Sequence, residues 1–190
     1  MNALRPILFA AFCMPAFSAN AEPVTYTIDA SHTKVYWETR HFGTSTHRGR
    51  FDTVEGSIVL DRDKANGEVS VSIATGSVSS GVPALDSVLR SGRFLSTDAY
   101  PTAYFIAKQL RFDGDHLNSL RGEFTLRGVS KPLSLNASSF ACRVDAMRHR
   151  EVCGGDFEAD ILRSDYGSTF GLPFVSDRVR LLISIEGVRQ

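Results

Sequence analysis

The side chains able to do acid–base, nucleophilic or metal chemistry are few and scattered in this 190-residue sequence. His32 follows Asp29 by three residues, and His41 and His47 flank a loop. None of the five histidines forms an i,i+4 or His-x-His pair, so no metal site is expected. Gly43, Thr44, Ser45 and Thr46 lead to His47 where a nucleophile turn of the Gly-x-Ser-x-Gly type requires glycine. No phosphate-cradling loop or dinucleotide fingerprint occurs. Catalysis would fall to Asp165, or to Asp29 with His32 as an acid–base pair. The Asp29 and His32 spacing better suits fixing a turn. The expectation is a protein without catalytic residues, metal or cofactor.

The segments that would hold these groups begin with an export signal. Arg5, the apolar run Pro6 to Phe17 and the small residues around Ala19 and Ala21 read as a secretory signal peptide over 1–21, cleaved after Ala21 and too short to span a bilayer. Phe12 ahead of Cys13 argues against lipid attachment at that cysteine. The remaining 22–190 forms one domain by length. The full chain, with 43% hydrophobic and 22% charged residues, has ordinary globular composition, which excludes disorder. The full chain has 21 basic and 21 acidic residues, and loss of Arg5 alone leaves a net charge of −1. No field favours nucleic acid. Cleavage also leaves two of the three cysteines, Cys142 and Cys153, in a compartment where disulfides persist, and they are expected to pair. The short loop between them places the gain at the low side of ~2–4 kcal/mol.

Most of the domain alternates with period two. Val35, Trp37 and Thr39 face one way against Lys34, Glu38 and Arg40. Arg48 to Leu60 is a long run broken by Gly49 and Gly56, as at a barrel corner. Asn66–Gly67 marks a turn before Val69, Val71 and Ile73; Ala103, Phe105 and Ala107 form a small–large face suited to a curved interior. Leu133 and Leu135, then Phe157, Ala159 and Ile161, then Val179, Leu181, Ile183 and Ile185 complete about nine strand candidates. A closed antiparallel barrel removes the edges of so many strands. Trp37, Phe51, Phe94, Phe105 and Phe124 either fill its core or line a channel.

One stretch is helical. Val82, Leu85, Val88 and Leu89 recur at helical spacing, with Pro83 in the first turn, Asp86 near the front, Arg90 at the back and Gly92 as the stop. So short a helix must bury its apolar stripe, as a plug or as a lid over a cavity.

Several stretches together, TIDASHTKVYW (27–37), HFG (41–43), RGRF (48–51), LRSGRF (89–94), YPTAYF (100–105), LRGVSKP (126–132) and RSDYG (163–167), resemble the YceI-like family of lipocalin-like, polyisoprenoid-binding proteins. The resemblance runs over essentially the whole domain. It implies an all-β fold, an extended eight-stranded antiparallel lipocalin-like barrel with one short helix. It further implies a bacterial periplasmic carrier holding a polyprenyl phosphate or polyprenyl quinone in an apolar channel. On that reading Trp37, Phe51, Leu85, Val88, Leu89, Phe94, Phe105 and Phe124 line the channel, and Arg48, Arg90 and Arg93 meet the ligand's head group at its mouth. Where the family often carries an Arg-Asp-x-His run this chain has Leu85, Asp86, Ser87 and Val88, implying a greasier ligand end or a tighter plug. The basic segment Arg143 to Arg150 also departs from the family pattern and reads as a solvated hairpin tip, with an anionic membrane surface or phosphate as its other reading.

The partners expected are the polyprenyl lipid or quinone, transient contact with the membrane or membrane redox proteins, and a second copy as homodimer. The rival readings are an isoprenoid- or quinone-modifying enzyme and a ligand-free, stress-linked interaction module with a fully packed interior.

Overall fold

The computed structural model describes residues 22–61, 64–114 and 116–190. The expected signal peptide and its cleavage site lie outside the described residues. Eleven strand segments form one sheet: β1 (Val24–Ile28), β2 (Lys34–His41), β3 (Ser45–Phe51), β4 (Val54–Asp61), β5 (Asn66–Ala74), β6 (Val78–Ser79), β7 (Thr102–Asp113), β8 (His116–Leu126), β9 (Val129–Asp145), β10 (Arg150–Leu162) and β11 (Val175–Arg189). A single helix, α1 (Pro83–Arg90), stands between β6 and β7.

The segments reduce to an eight-stranded barrel, because β1 and β2 both pair with β11 and form one interrupted strand. Likewise β3 continues into β4, β3 pairing with β2 and β4 with β1. From there each strand pairs antiparallel with the next, β4 to β5, β7, β8, β9, β10 and β11, and β11 returns to β1 to close the cylinder. Closure leaves no long free edge.

The alternating residues point inward. Val35 and Trp37, Val69, Val71 and Ile73, Ala103, Phe105 and Ala107, and Phe157, Ala159 and Ile161 are all buried in one core. At Gly56 the backbone takes φ +154°, and a Cβ there would lie 2.1 Å from the Ser70 carbonyl oxygen, so the strand bends closely over β5 only with glycine. Cys142 and Cys153 face each other across β9 and β10 and form the expected disulfide, S–S 2.02 Å, beside the hairpin tip.

The helix departs from expectation. α1 begins with Pro83 and ends at Arg90 as the pattern indicates, yet none of its residues is buried. Val82 is 53% and Val88 37% exposed. Closure of this end comes instead from Leu89 together with Leu95 in the following loop, both packed on the core. That loop is tied back by Leu95 N–H to the Leu89 carbonyl (2.9 Å), Thr97 N–H to the Arg90 carbonyl (3.0 Å) and the Arg127 guanidinium to the Phe94 carbonyl. The stripe is shared between a helix and a loop, so the helix alone covers little.

Candidate functional site

Inside the barrel runs a cavity of about 190 Å³ whose wall is almost wholly apolar. Trp37, Phe51, Leu89, Phe94, Phe105 and Phe124 line it, as the aromatic pattern suggests. Its walls reach from Cys153 to Arg163 along β10. At roughly 3.3 Å per residue and a strand tilt of ~40°, that is on the order of 25 Å along the axis.

The two ends differ. The end bearing the disulfide is sealed by Tyr26, Leu60 and Cys153, with Leu110, Phe112 and Phe140 packed against them. Phe112 and Phe140 meet edge to face at 6.3 Å, and the Tyr26 hydroxyl bonds the Glu151 carboxylate. The other end is built from the β2–β3 turn, α1 with its loop, the β8–β9 turn and the long β10–β11 connection.

At that second end a charged side chain enters the wall. Arg163 is only 5% exposed and lies on the inward parity of Phe157, Ala159 and Ile161. Its Nε donates to the Ser176 carbonyl (2.9 Å), Nη1 to the Ser168 carbonyl (2.7 Å) and Nη2 to the Val175 carbonyl (2.8 Å). Its carbon Cζ lies 5.6 Å from the centre of the Phe94 ring. No carboxylate among the described residues pairs with it, and Asp177, whose charge favours the cation, is engaged by the Ser164 N–H (2.8 Å) and hydroxyl (2.6 Å). Burial pushes the Arg163 guanidinium below its ordinary value. Three of its five N–H groups are used, so the remaining two can serve a polar atom at the cavity end. Deeper in the wall, the Trp37 Nε1–H is buried with no hydrogen-bond partner among the described residues. Gly49 makes room for that indole: a Cβ there would sit 2.3 Å from Trp37 Cζ2. Tyr166, stacked edge to face on Phe124 at 5.6 Å, has its phenol pushed up to about 12, first by burial, and stays protonated.

The remaining sequence expectations are placed otherwise. Leu85 and Val88 are absent from the cavity wall, so exchanging the family's charged pair there alters the outside of the cap and not the channel. Arg48 projects outward and pairs with Glu38 at 2.6 Å, because its strand parity opposes that of Phe51. The Arg90 guanidinium donates to the Val78 carbonyl (3.4 Å), and Arg93 lies over the Phe170 ring at 4.9 Å. None of the three reaches the cavity. Arg163 was within reach of sequence reading, since it continues the apolar parity of β10.

Neither acid–base candidate faces the cavity either. Asp165 is exposed. Asp29 takes part in a turn, accepting the Ser31 N–H (3.0 Å) and hydroxyl and lying 3.0 Å from His32 Nδ1 and 2.8 Å from the Arg148 guanidinium. These bonds, led by that from the Ser31 hydroxyl, hold its carboxyl far below the usual carboxylate range. Among the described residues no cluster of three or more His, Cys, Asp or Glu side chains could hold a metal ion.

Comparison with known proteins gives a consistent answer. A family model described as the YceI-like domain matches residues 26–187. Protein YceI of Escherichia coli O157:H7 is 33% identical over 190 residues, covering all of this chain and 98% of that protein. The crystal structure of Burkholderia cenocepacia BcnA superposes with a TM-score of 0.67 at 17% identity, covering 84% of this chain and 98% of the other. A domain from Saccharophagus degradans described as polyisoprenoid binding superposes with a TM-score of 0.65 at 19% identity, covering 87% and 98%. At such identities these two structures speak for the fold.

Proposed function

This chain belongs to the YceI-like domain family, and on that premise we propose that it is a periplasmic binding protein that carries a polyisoprenoid, as polyprenyl phosphate or polyprenyl quinone, through water. The observation carrying the proposal is the apolar cavity that runs the length of the barrel, sealed at one end and furnished with Arg163 at the other. Such a cavity suits an amphiphile with a long, thin, apolar tail and one polar end.

Burial of the tail supplies the affinity. At about 0.8 kcal/mol per buried CH₂ equivalent, the roughly seven carbons that 190 Å³ holds contribute ~6 kcal/mol before association costs, and a longer tail must widen the barrel to add more. The two free N–H groups of Arg163 then select the polar end, a phosphate oxygen or a quinone carbonyl, and fix which way round the ligand lies. The Trp37 Nε1–H offers one more donor along the path. Among the described residues no histidine or carboxylate lines the cavity, and the proposed role is to carry the ligand unchanged.

The experiment is to purify the protein from bacterial periplasm without detergent, extract it with organic solvent and identify the extract by mass spectrometry. A near-stoichiometric polyprenyl species is expected, and its head group names the ligand. Protein that yields none and takes up no added polyprenyl lipid refutes the proposal and leaves the packed, ligand-free barrel in its place.

A further inference from the structure

At the barrel end that carries α1, several apolar side chains stand uncovered among the described residues. Phe42, at the β2–β3 turn, is 60% exposed, Phe174 61% and Phe170 48%. Phe42 and Phe174 stack at 5.4 Å, and Phe170 meets Phe94 of the cavity wall edge to face at 5.7 Å, so the rim is continuous with the channel lining. Phe42 also sits at φ 49°, in the left-handed region that asparagine and glycine tolerate and a bulky ring does not. Its N–H donates to the Phe174 carbonyl (2.7 Å), which holds the strained turn against the neighbouring loop. The ring's aromatic contacts are His41, edge to face at 4.7 Å, and Phe174, which leave most of it in water on a strained backbone, and strain of this kind gathers at working surfaces.

Cations accompany the rings. Arg40 is exposed and its guanidinium donates only to the Thr46 hydroxyl and the Gly43 carbonyl. Arg93 lies over Phe170, and among the described residues neither arginine has a carboxylate partner. Of the acidic groups at this end, Glu38 is paired with Arg48, Asp86 accepts from Ser80 and Asp177, which borders the same surface pocket as Arg40, accepts from Ser164, while Asp98 in the α1 loop and Asp165 on the β10–β11 connection stand exposed. The opposite end differs. Its basic hairpin tip has Arg143 paired with Asp145 (3.1 Å), Arg148 with Asp29 of the β1–β2 turn (2.8 Å) and Arg150 donating to the Arg189 carbonyl, and it exposes Val144 and Met147 without an aromatic ring.

We propose that the rim of Phe42, Phe170 and Phe174 is a membrane-docking surface that seats the channel mouth on an anionic phospholipid bilayer. The rings enter the boundary between head groups and acyl chains, and Arg40 and Arg93 meet lipid phosphates. The choice of a bilayer as occupant rests on the carrier reading above, since a polyprenyl tail leaves the membrane only where a mouth touches it.

The test is flotation of the purified protein with vesicles of phosphatidylethanolamine and phosphatidylglycerol, and with vesicles of phosphatidylcholine alone. The parent protein is expected to float with the anionic vesicles and to lose that binding as salt rises. Phe42→Asn with Phe174→Ser should lower partitioning at least about tenfold. Its melting temperature should not fall on account of position 42, because asparagine suits that backbone. Arg40→Gln with Arg93→Gln should abolish the preference for anionic over neutral vesicles. Uptake of polyprenyl lipid delivered without vesicles should be the same in the ring variant as in the parent. A parent that takes up polyprenyl lipid but floats with neither vesicle overturns docking alone. A parent that floats through its rim yet takes up no polyprenyl lipid upholds docking and overturns the carrier reading. Ring variants that float like the parent, or a ring-dependent dimer in place of vesicle binding, overturn the docking surface.

Discussion

Replacing Gly49 by alanine adds one methyl group to the cavity wall and should disable the channel. The added Cβ would lie 2.3 Å from Trp37 Cζ2, 2.6 Å from Trp37 Cε2 and 2.5 Å from the Ser79 carbonyl oxygen. Carbon atoms rest at about 3.5–4.0 Å, so the indole must move by more than about 1 Å, and the Ser79 carbonyl must also give. The backbone of β6 is held by its pairing to Arg50 and Phe51, whereas Trp37 has the cavity on its open side, so the ring moves inward. Overpacking of this size costs ~1–3 kcal/mol, or roughly 2–4 °C per kcal/mol in a domain of this length. The displaced ring occupies ligand space, and a polyprenyl ligand should bind at least about tenfold more weakly. Trp37 is the single tryptophan, so its intrinsic fluorescence reports both the ring's displacement and ligand uptake. Pairing the change with Trp37→Phe should recover part of the lost stability, the Ser79 contact remaining. An alanine variant with parental melting temperature, emission spectrum and affinity would show that the indole does not border an open channel.

Other outcomes follow from the same contacts. Arg163→Met leaves three carbonyls, of Ser168 in the β10–β11 connection and of Val175 and Ser176 at the start of β11, without their donor and should cost on the order of 2–5 kcal/mol by chemical denaturation, with weakened selection between polyprenyl phosphate and polyprenol in a binding assay; equal stability would show that water replaces the guanidinium. Cys142→Ser with Cys153→Ser should lower stability by about 2–3 kcal/mol while ligand uptake measured by Trp37 fluorescence persists, since the disulfide lies at the sealed end. The Asp29 carboxyl is depressed by its hydrogen bonds, so its contribution is present above its unfolded value near ~4 and is lost as pH falls toward the folded value. Asp29→Asn should therefore destabilise by about 1 kcal/mol at neutral pH, and the gap to the parent should close in melts below about pH 4; a gap that widens on acidification contradicts the assignment.

Much of the barrel is legible in the sequence because a half-buried strand writes its orientation every second residue. Val69, Val71 and Ile73 needed no tertiary information, and the same rule places Trp37 inward and Arg48 outward. The site was less legible where a residue type overrode its parity. Arg163 follows Phe157, Ala159 and Ile161 in step, and its position alone marks a guanidinium inside the wall. Arginine near a helix end draws attention toward Arg90 and Arg93 instead, although loop geometry decides where those point. The cap was misjudged for another reason. Helical spacing shows which residues share a face and says nothing of how far the helix lies from the sheet, and Leu95, outside the helix, takes the place of Leu85 and Val88.

The closing seam of the barrel has a consequence for biogenesis. Seven of the eight barrel seams join strands that follow one another along the chain, but the eighth joins β1 and β2 to β11, with Tyr26 opposite Arg189 and Val35 opposite Ile183. The first barrel strand, paired early with β3 and β4 on one edge, must wait for the final strand before its other edge is paired. Until then the inward residues of a nearly complete curved sheet face water along an open slot, and loop-closure entropy makes this seam the slow step.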